Sequence, residues 1–99
     1  MAVDIQVTDN PAESRFEIRA DGELAGFALY HLRGSQIAFT HTETDDRFRG
    51  HGLASQLVRA ALDAARTRQL AVLPYCPFVR SWLEQHPEYA DLIRSPGDR

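Results

Sequence analysis

The sequence predicts an α/β (α+β) fold: an antiparallel four-strand meander, then a βαβ unit that makes strands four and five parallel neighbours, then a C-terminal helix. Three observations predict it. Up to His41, apolar and polar residues alternate at the two-residue period of strands, and from Gly50 the period becomes that of an amphipathic helix. Beyond that helix a short apolar run precedes a second helical stretch opened by Pro77.

The elements follow in order. Val3, Ile5 and Val7 alternate with polar residues, Asn10-Pro11-Ala12-Glu13 reads as a turn, and Phe16-Glu17-Ile18-Arg19 resumes the strand period. Asp21-Gly22 is a hairpin signal, because the tight turns that match strand twist need residues tolerant of positive φ. A third run, Leu24 to Leu32, is turned by Arg33-Gly34-Ser35 into a fourth, Gln36 to His41. Leu53, Leu57, Ala61 and Ala65 then recur at spacing four with Ala54, Val58 and Leu62 beside them, while Arg59, Asp63, Arg66 and Arg68 point elsewhere. That is a helix of about four turns. Leu70 to Leu73 is a short strand ending at Pro74, and the second helix buries Phe78, Trp82 and Leu83 before His86-Pro87 ends it. A right-handed crossover sets strand five parallel to strand four. Tyr30, His31, Trp82 and Tyr89 read as packing residues and Tyr75 as a pocket wall. Residues 1–94 form one domain in this reading, and 95–99 a flexible tail.

Composition bounds the function. Ninety-nine residues suit one domain with a modest core, and 43% hydrophobic with 25% charged residues is globular composition. The single cysteine, Cys76, excludes an internal disulfide and a Cys-rich zinc site, so no metal is expected. The first residues lack a basic region followed by an apolar run, and no stretch reaches the length of a membrane span, so a cytoplasmic protein is expected. Charge is unevenly divided: residues 1–46 carry −6, residues 47–80 carry +5 and residues 81–99 carry −2. An overall acidic chain is a poor partner for nucleic acid, where phosphate neutralisation dominates affinity, but the basic stretch suits a small phosphorylated ligand. Every basic residue is arginine, which excludes lysine-dependent chemistry.

The most informative segment is Arg47-Phe48-Arg49-Gly50-His51-Gly52-Leu53-Ala54, a glycine-punctuated loop entering the first helix. Its glycines let the backbone approach a ligand, and free N–H groups with the positive end of the helix dipole behind them favour a phosphate. The loop is no P-loop, lacking Gly-Lys-Ser/Thr, and is one glycine short of the dinucleotide fingerprint. The same glycines also serve a helix start that needs a particular entry angle, so the loop alone leaves both readings open.

Together with the order of elements, this R-x-x-G-x-G loop resembles the core of the GNAT superfamily of acyl-CoA-dependent N-acyltransferases. His41-Thr42-Glu43-Thr44, Arg49 to Ala54, Pro74-Tyr75-Cys76-Pro77-Phe78-Val79 and His86-Pro87-Glu88-Tyr89 are similar to its small YjdJ-type branch, over roughly residues 13–93. The resemblance implies a GNAT-like fold whose strands four and five splay apart at one end, with the pantetheine arm of acetyl-CoA, or of another short acyl-CoA, between them. It implies cofactor contacts from Thr42, Glu43, Thr44, Arg49, Gly50, His51, Gly52, Leu53, Ala54 and Cys76, and acyl transfer to an unidentified amine. Ordinary members carry two helices between their first strands, for which Arg15 to His41 leaves no room. The acceptor site is then shallow, or completed by a second copy or a partner protein. Asp45-Asp46 sits just before the phosphate loop and is expected to face solvent or cap a turn.

Three residues are candidates for catalysis. Cys76 precedes Pro77 and so falls at a helix N-cap, a position that favours a reactive thiolate, next to where the resemblance places the thioester. An acyl-cysteine step, a thiol that only lines the pantetheine slot and an inert buried thiol all remain open. His41 and Glu43, two apart, share one face of strand four, with Thr42 on the other. Either can take a proton from an incoming ammonium, and a carboxylate on strand four is the commoner solution in the superfamily, which puts Glu43 first. Each alone also fits a solvent-exposed strand end. The alternatives to an enzyme are a non-catalytic acyl-CoA-binding module and a protein-interaction domain.

Overall fold

The computed structural model describes residues 3–48 and 52–93. Five strands form one sheet in the order β1 (Ile5–Asn10), β2 (Arg15–Ala20), β3 (Glu23–Arg33), β4 (Gln36–Thr44) and β5 (Ala71–Pro74). The first four pair antiparallel and β4 pairs parallel with β5, joined by α1 (Leu53–Thr67). The meander follows from local turn chemistry. Asp21 and Gly22 both take positive φ, at 50° and 85°, as the β2–β3 turn requires, and Gly34 at 59° serves the β3–β4 turn. The Asn10–Glu13 turn contains a short 3-10 segment, Pro11–Glu13, closed by Ser14 in the left-handed region.

The helix Leu53–Thr67, the helix Pro77–Glu84 and the segment Pro87–Leu92 pack together on the face of the sheet that carries Phe16, Ile18, Ala28, Tyr30, Ile37 and Phe39. α1 buries Leu53, Leu57, Val58, Ala61, Leu62 and Ala65, the face its period predicts. Full burial of a leucine or valine side chain stabilises by about 1.5–3 kcal/mol, so these residues hold α1 to the sheet. Polar ties fix its position. The Tyr30 hydroxyl donates to Asp9 at 2.6 Å, and the other oxygen of that carboxylate accepts from Arg68 at 2.8 Å. Burial and this bond push the Tyr30 phenol up to about 12.

α2 (Pro77–Glu84) has Cys76 as its N-cap and Pro77 in its first turn. Its buried residues are Val79, Trp82 and Leu83, which corrects one expectation: Phe78 is 41% exposed. At 100° per residue Val79, Trp82 and Leu83 make one stripe, which leaves Phe78 on its edge. Trp82 anchors the helix, donating to Ser55 Oγ on α1 at 2.8 Å and stacking on His86 at 3.7 Å. A further 3-10 segment, Pro87–Leu92, buries Tyr89 and Leu92. Strand four runs three residues past its expected end, to Thr44. The expected tail at 95–99 lies outside the described residues.

Candidate active site

Two irregularities in the sheet build the site. The β3–β4 register jumps from Tyr30↔Phe39 to Leu29↔His41, which leaves Thr40 as an extra residue on β4. Because strand side chains alternate, one inserted residue exchanges the two faces for everything after it. Thr42 and Thr44, opposite Ala28 and Gly26, therefore share the helix-covered face with Phe39, whereas His41 and Glu43 join Leu29 and Phe27 on the uncovered face. Without the bulge His41 and Glu43 would lie on the face of Ile37 and Phe39.

The second irregularity is a parting of strands, as the family resemblance implied. β5 pairs with β4 only from Gln36↔Ala71 to Phe39↔Pro74. Cys76 N–H then donates to the Phe39 carbonyl at 2.9 Å, the chain turns into α2, and Thr40 to Thr44 run on without a β5 neighbour. Cys76 is buried at 3% exposure, and its Sγ lies 3.5 Å from Thr42 Oγ1 at the apex of the splay. On the far face His41 Nε2 and Glu43 Oε2 are 2.9 Å apart, their side chains 53% and 61% exposed. The structure thus brings Thr42 to Cys76 and His41 to Glu43, on opposite sides of one strand.

At the open end of the splay a cavity of about 320 Å³ is walled by Thr44 and Phe48, by Gly52 to Ser55 at the start of α1, and by Phe78. Gly52 has φ 64° and open space where a Cβ would stand, and α1 has no side-chain cap. The first helical bond runs from Gln56 N–H to the Gly52 carbonyl at 3.1 Å, so the amides of Leu53, Ala54 and Ser55 precede it. Those amides, with the helix dipole behind them, suit an anion. Asp45 and Asp46 also line this cavity, but Asp45 is engaged: its carboxylate caps the 3-10 turn at Asp46–Phe48 by accepting from Arg47 N–H at 2.9 Å. The Arg47 guanidinium also donates to it, which holds the Asp45 carboxyl below the usual range. Of the other expected cofactor contacts, Arg49, Gly50 and His51 lie outside the described residues. Thr42, Glu43 and Cys76 do not line this cavity.

A larger hollow of about 390 Å³ lies at the other end of β5, between Ser35, Gln69 and Arg66. It adjoins the C-terminal end of α1, where carbonyls point outward and Arg66 is held by Asp91 at 2.8 Å, and so offers an anion less than the N-terminal end. Two residues of the site were missed in the sequence. The Thr40 bulge leaves no local signature, but Gly26 does: a Cβ there would stand 2.6 Å from the Glu43 carbonyl oxygen and 2.9 Å from Thr44 Cγ2. A glycine inside a strand pattern signals such close approach.

Comparison with known proteins agrees with this fold. The family model described as GCN5-related N-acetyl-transferase matches residues 15–92. The chain is 31% identical over 85 residues to protein NATD1 of Gallus gallus, covering 84% of this chain and 77% of that protein. NATD1 of Homo sapiens is 29% identical over 85 residues, with 84% and 75% covered. The solution structure of a GCN5-like protein from Staphylococcus aureus superposes with a TM-score of 0.70 at 23% identity, covering 91% of this chain and 88% of that one. A ribosomal-protein-alanine N-acetyltransferase from Brucella melitensis gives 0.59 at 17% identity, covering 100% and 96%. At these identities the structures share the fold.

Proposed function

The chain belongs to the GCN5-related N-acetyltransferase family, and from that premise we propose that residues 1–94 form one domain that binds acetyl-CoA, or another short acyl-CoA, and transfers the acyl group to an amine. The observation that carries this reading is the single cavity in which the splayed end of β4 meets the uncapped start of α1. The amides of Leu53 to Ser55 would hold the pyrophosphate, with room left by Gly52, and Arg49, Gly50 and His51 are assigned beside them by the resemblance. Two features support this reading although Asp45 and Asp46 line the same cavity: Gly52 leaves open space beside the start of α1, and the Asp45 carboxylate is engaged by Arg47.

Bound acyl-CoA supplies a thioester carbonyl, activated toward amines. The residues of this chain do the rest. Thr42 and Cys76 line the apex of the splay, where the pantetheine arm would end. Glu43, hydrogen-bonded to His41, would take one proton from the incoming ammonium; the free amine would then bond to the carbonyl carbon, the C–S bond would break, and the second proton of the nitrogen would leave with the CoA thiolate as the thiol. The cytoplasm is the proposed setting. Among the described residues no helix is long and apolar enough to cross a membrane.

One observation favours the reading of an acyl-CoA-binding module without turnover: His41 and Glu43 are both more than half exposed, so proton transfer there meets competition from water. Mass spectrometry of the protein with acetyl-CoA and a panel of amines separates the two. Acetylated amine supports the transferase. CoA binding without any acetylated product, and without an acyl mass on Cys76, leaves the binding module.

A further inference from the structure

Trp82 is the one tryptophan of the chain, and its ring is held from several sides. His86 stacks on it with ring centroids 3.7 Å apart and planes 12° from parallel, and His86 Nδ1 lies 2.7 Å from the Trp82 carbonyl oxygen. Tyr89 meets the ring edge-on at 5.1 Å, and the Arg59 guanidinium stands 5.3 Å from its centroid. The ring's one polar group reaches α1, where Nε1–H donates to Ser55 Oγ at 2.8 Å. That bond decides what Ser55 can do. An indole N–H only donates, whereas a hydroxyl donates and accepts, so Ser55 gives a lone pair to Trp82 and keeps its own proton for another acceptor. Among the described residues that proton has none.

Ser55 lines the cavity at the start of α1. The described lining of that cavity includes the carboxylates of Asp45 and Asp46 and no cation, so among these residues the hold on an anion falls to neutral donors. Those are the amides at the start of α1 and the hydroxyls of Thr44 and Ser55. Of the two hydroxyls, only that of Ser55 is tied to another element among the described residues. A donor oriented before its ligand arrives loses little rotamer freedom on binding, and a hydroxyl that already accepts one bond donates more strongly. We propose that Trp82 is a positioning residue for acyl-CoA: its indole N–H holds Ser55 Oγ so that the Ser55 hydroxyl donates a hydrogen bond to a phosphate oxygen of the cofactor. This rests on the acyl-CoA reading above. It adds to the backbone amides a side-chain donor whose direction is set from α2, 27 residues along the chain.

Because Trp82 is the single tryptophan, its indole N–H gives one resonance in a proton–nitrogen correlation spectrum. Saturating CoA should move that proton downfield, since the Ser55 oxygen becomes a better acceptor once its own proton is engaged. Inorganic pyrophosphate should move it the same way, pantetheine should leave it in place, and in Ser55→Ala the response to CoA should vanish. Ser55→Ala should weaken CoA about tenfold, as expected for one hydrogen bond to a charged group, and Trp82→Phe about fivefold by freeing the hydroxyl. The double variant should bind no more weakly than Ser55→Ala alone, because the indole acts only through the hydroxyl, whereas a merely structural Trp82 would add its own loss. The resonance and Ser55→Ala test the proposal with Trp82 intact, so it stands or falls even where Trp82→Phe does not fold. The proposal is overturned if CoA leaves the resonance in place, if pantetheine moves it as far, if Ser55→Ala binds CoA as tightly as wild type, or if the two single losses multiply in the double variant. Any of these beside a CoA-stabilised melt refutes this proposal alone. A CoA-insensitive melt removes the acyl-CoA reading, and the role of Trp82 with it.

Discussion

Glu17 is the one buried charged side chain among the described residues, and its replacement by glutamine gives the most quantitative test of the sheet that carries the site. Its carboxylate accepts from Asn10 Nδ2 at 3.0 Å, Arg15 Nε at 2.8 Å and Arg19 Nη2 at 3.0 Å. Hydrogen bonds to charged groups contribute about 1.5–3 kcal/mol each when fully desolvated. These are not: the carboxylate lies beneath side chains on the outer face of the sheet, and Arg19 is 42% exposed, so solvent screens its share. Glutamine keeps one acceptor oxygen but turns an NH2 group toward donors. Together these put the loss for Glu17→Gln at about 2 kcal/mol, or a fall in Tm of about 8–16 °C for a chain of this size. The pH dependence supplies an independent signature. The bonds from Asn10 and Arg15 hold the Glu17 carboxyl below its ordinary value, so its stabilisation is complete above the unfolded-state pKa, near 4.5, and lost as pH falls through the lower folded one. Urea melts from pH 7 to pH 3 should therefore show wild type and variant converging at acid pH. A difference below about 0.5 kcal/mol at pH 7, or one that stays constant to pH 3, would refute the reasoning.

Three further outcomes are expected at the site itself. Cys76→Ala should keep turnover within about tenfold, because a thiol buried against Thr42 serves as wall more readily than as nucleophile; a loss near 10³-fold, with an acyl mass on wild-type Cys76, would establish the covalent route. Glu43→Gln should lower kcat/KM by about 10²-fold and flatten its rise with pH, with a smaller effect for His41→Gln; if both stay within about threefold, neither residue is the base. Gly26→Ala should destabilise by about 1–3 kcal/mol in urea melts and lower activity, since its Cβ would push on the Glu43 carbonyl, and an unchanged melting curve contradicts that.

Much of this arrangement was legible because local chemistry and global fold agree. Asp21-Gly22 and Gly34 take the positive φ their turns need, and the spacing of Leu53, Leu57, Ala61 and Ala65 fixes which face of α1 is buried. Pro77 placed Cys76 at the N-cap of α2 for the same reason. What stayed hidden depends on pairing between distant strands. The alternation along β4 puts His41 and Glu43 together and Thr42 opposite, but which side meets the helices is decided by the register slip at Thr40, set by β3. Phe78 was misplaced because a helix beginning at a proline gives few residues from which to fix its buried stripe. The meeting of Thr42 and Cys76, 34 residues apart, needed β5 to stop pairing at Pro74.

The claim on which the functional account turns is that an acyl-CoA is held at the start of α1. Thermal melts of protein freed of bound CoA, with and without millimolar CoA, test it most directly. The account predicts a stabilisation of about 2.7 kcal/mol at a hundredfold excess over Kd. It predicts that Gly52→Leu, which strains a left-handed residue by about 1–2 kcal/mol and covers the Leu53 to Ser55 amides, folds but loses that response. A wild-type melt insensitive to CoA, or a Gly52→Leu variant that responds as fully as wild type, would contradict it.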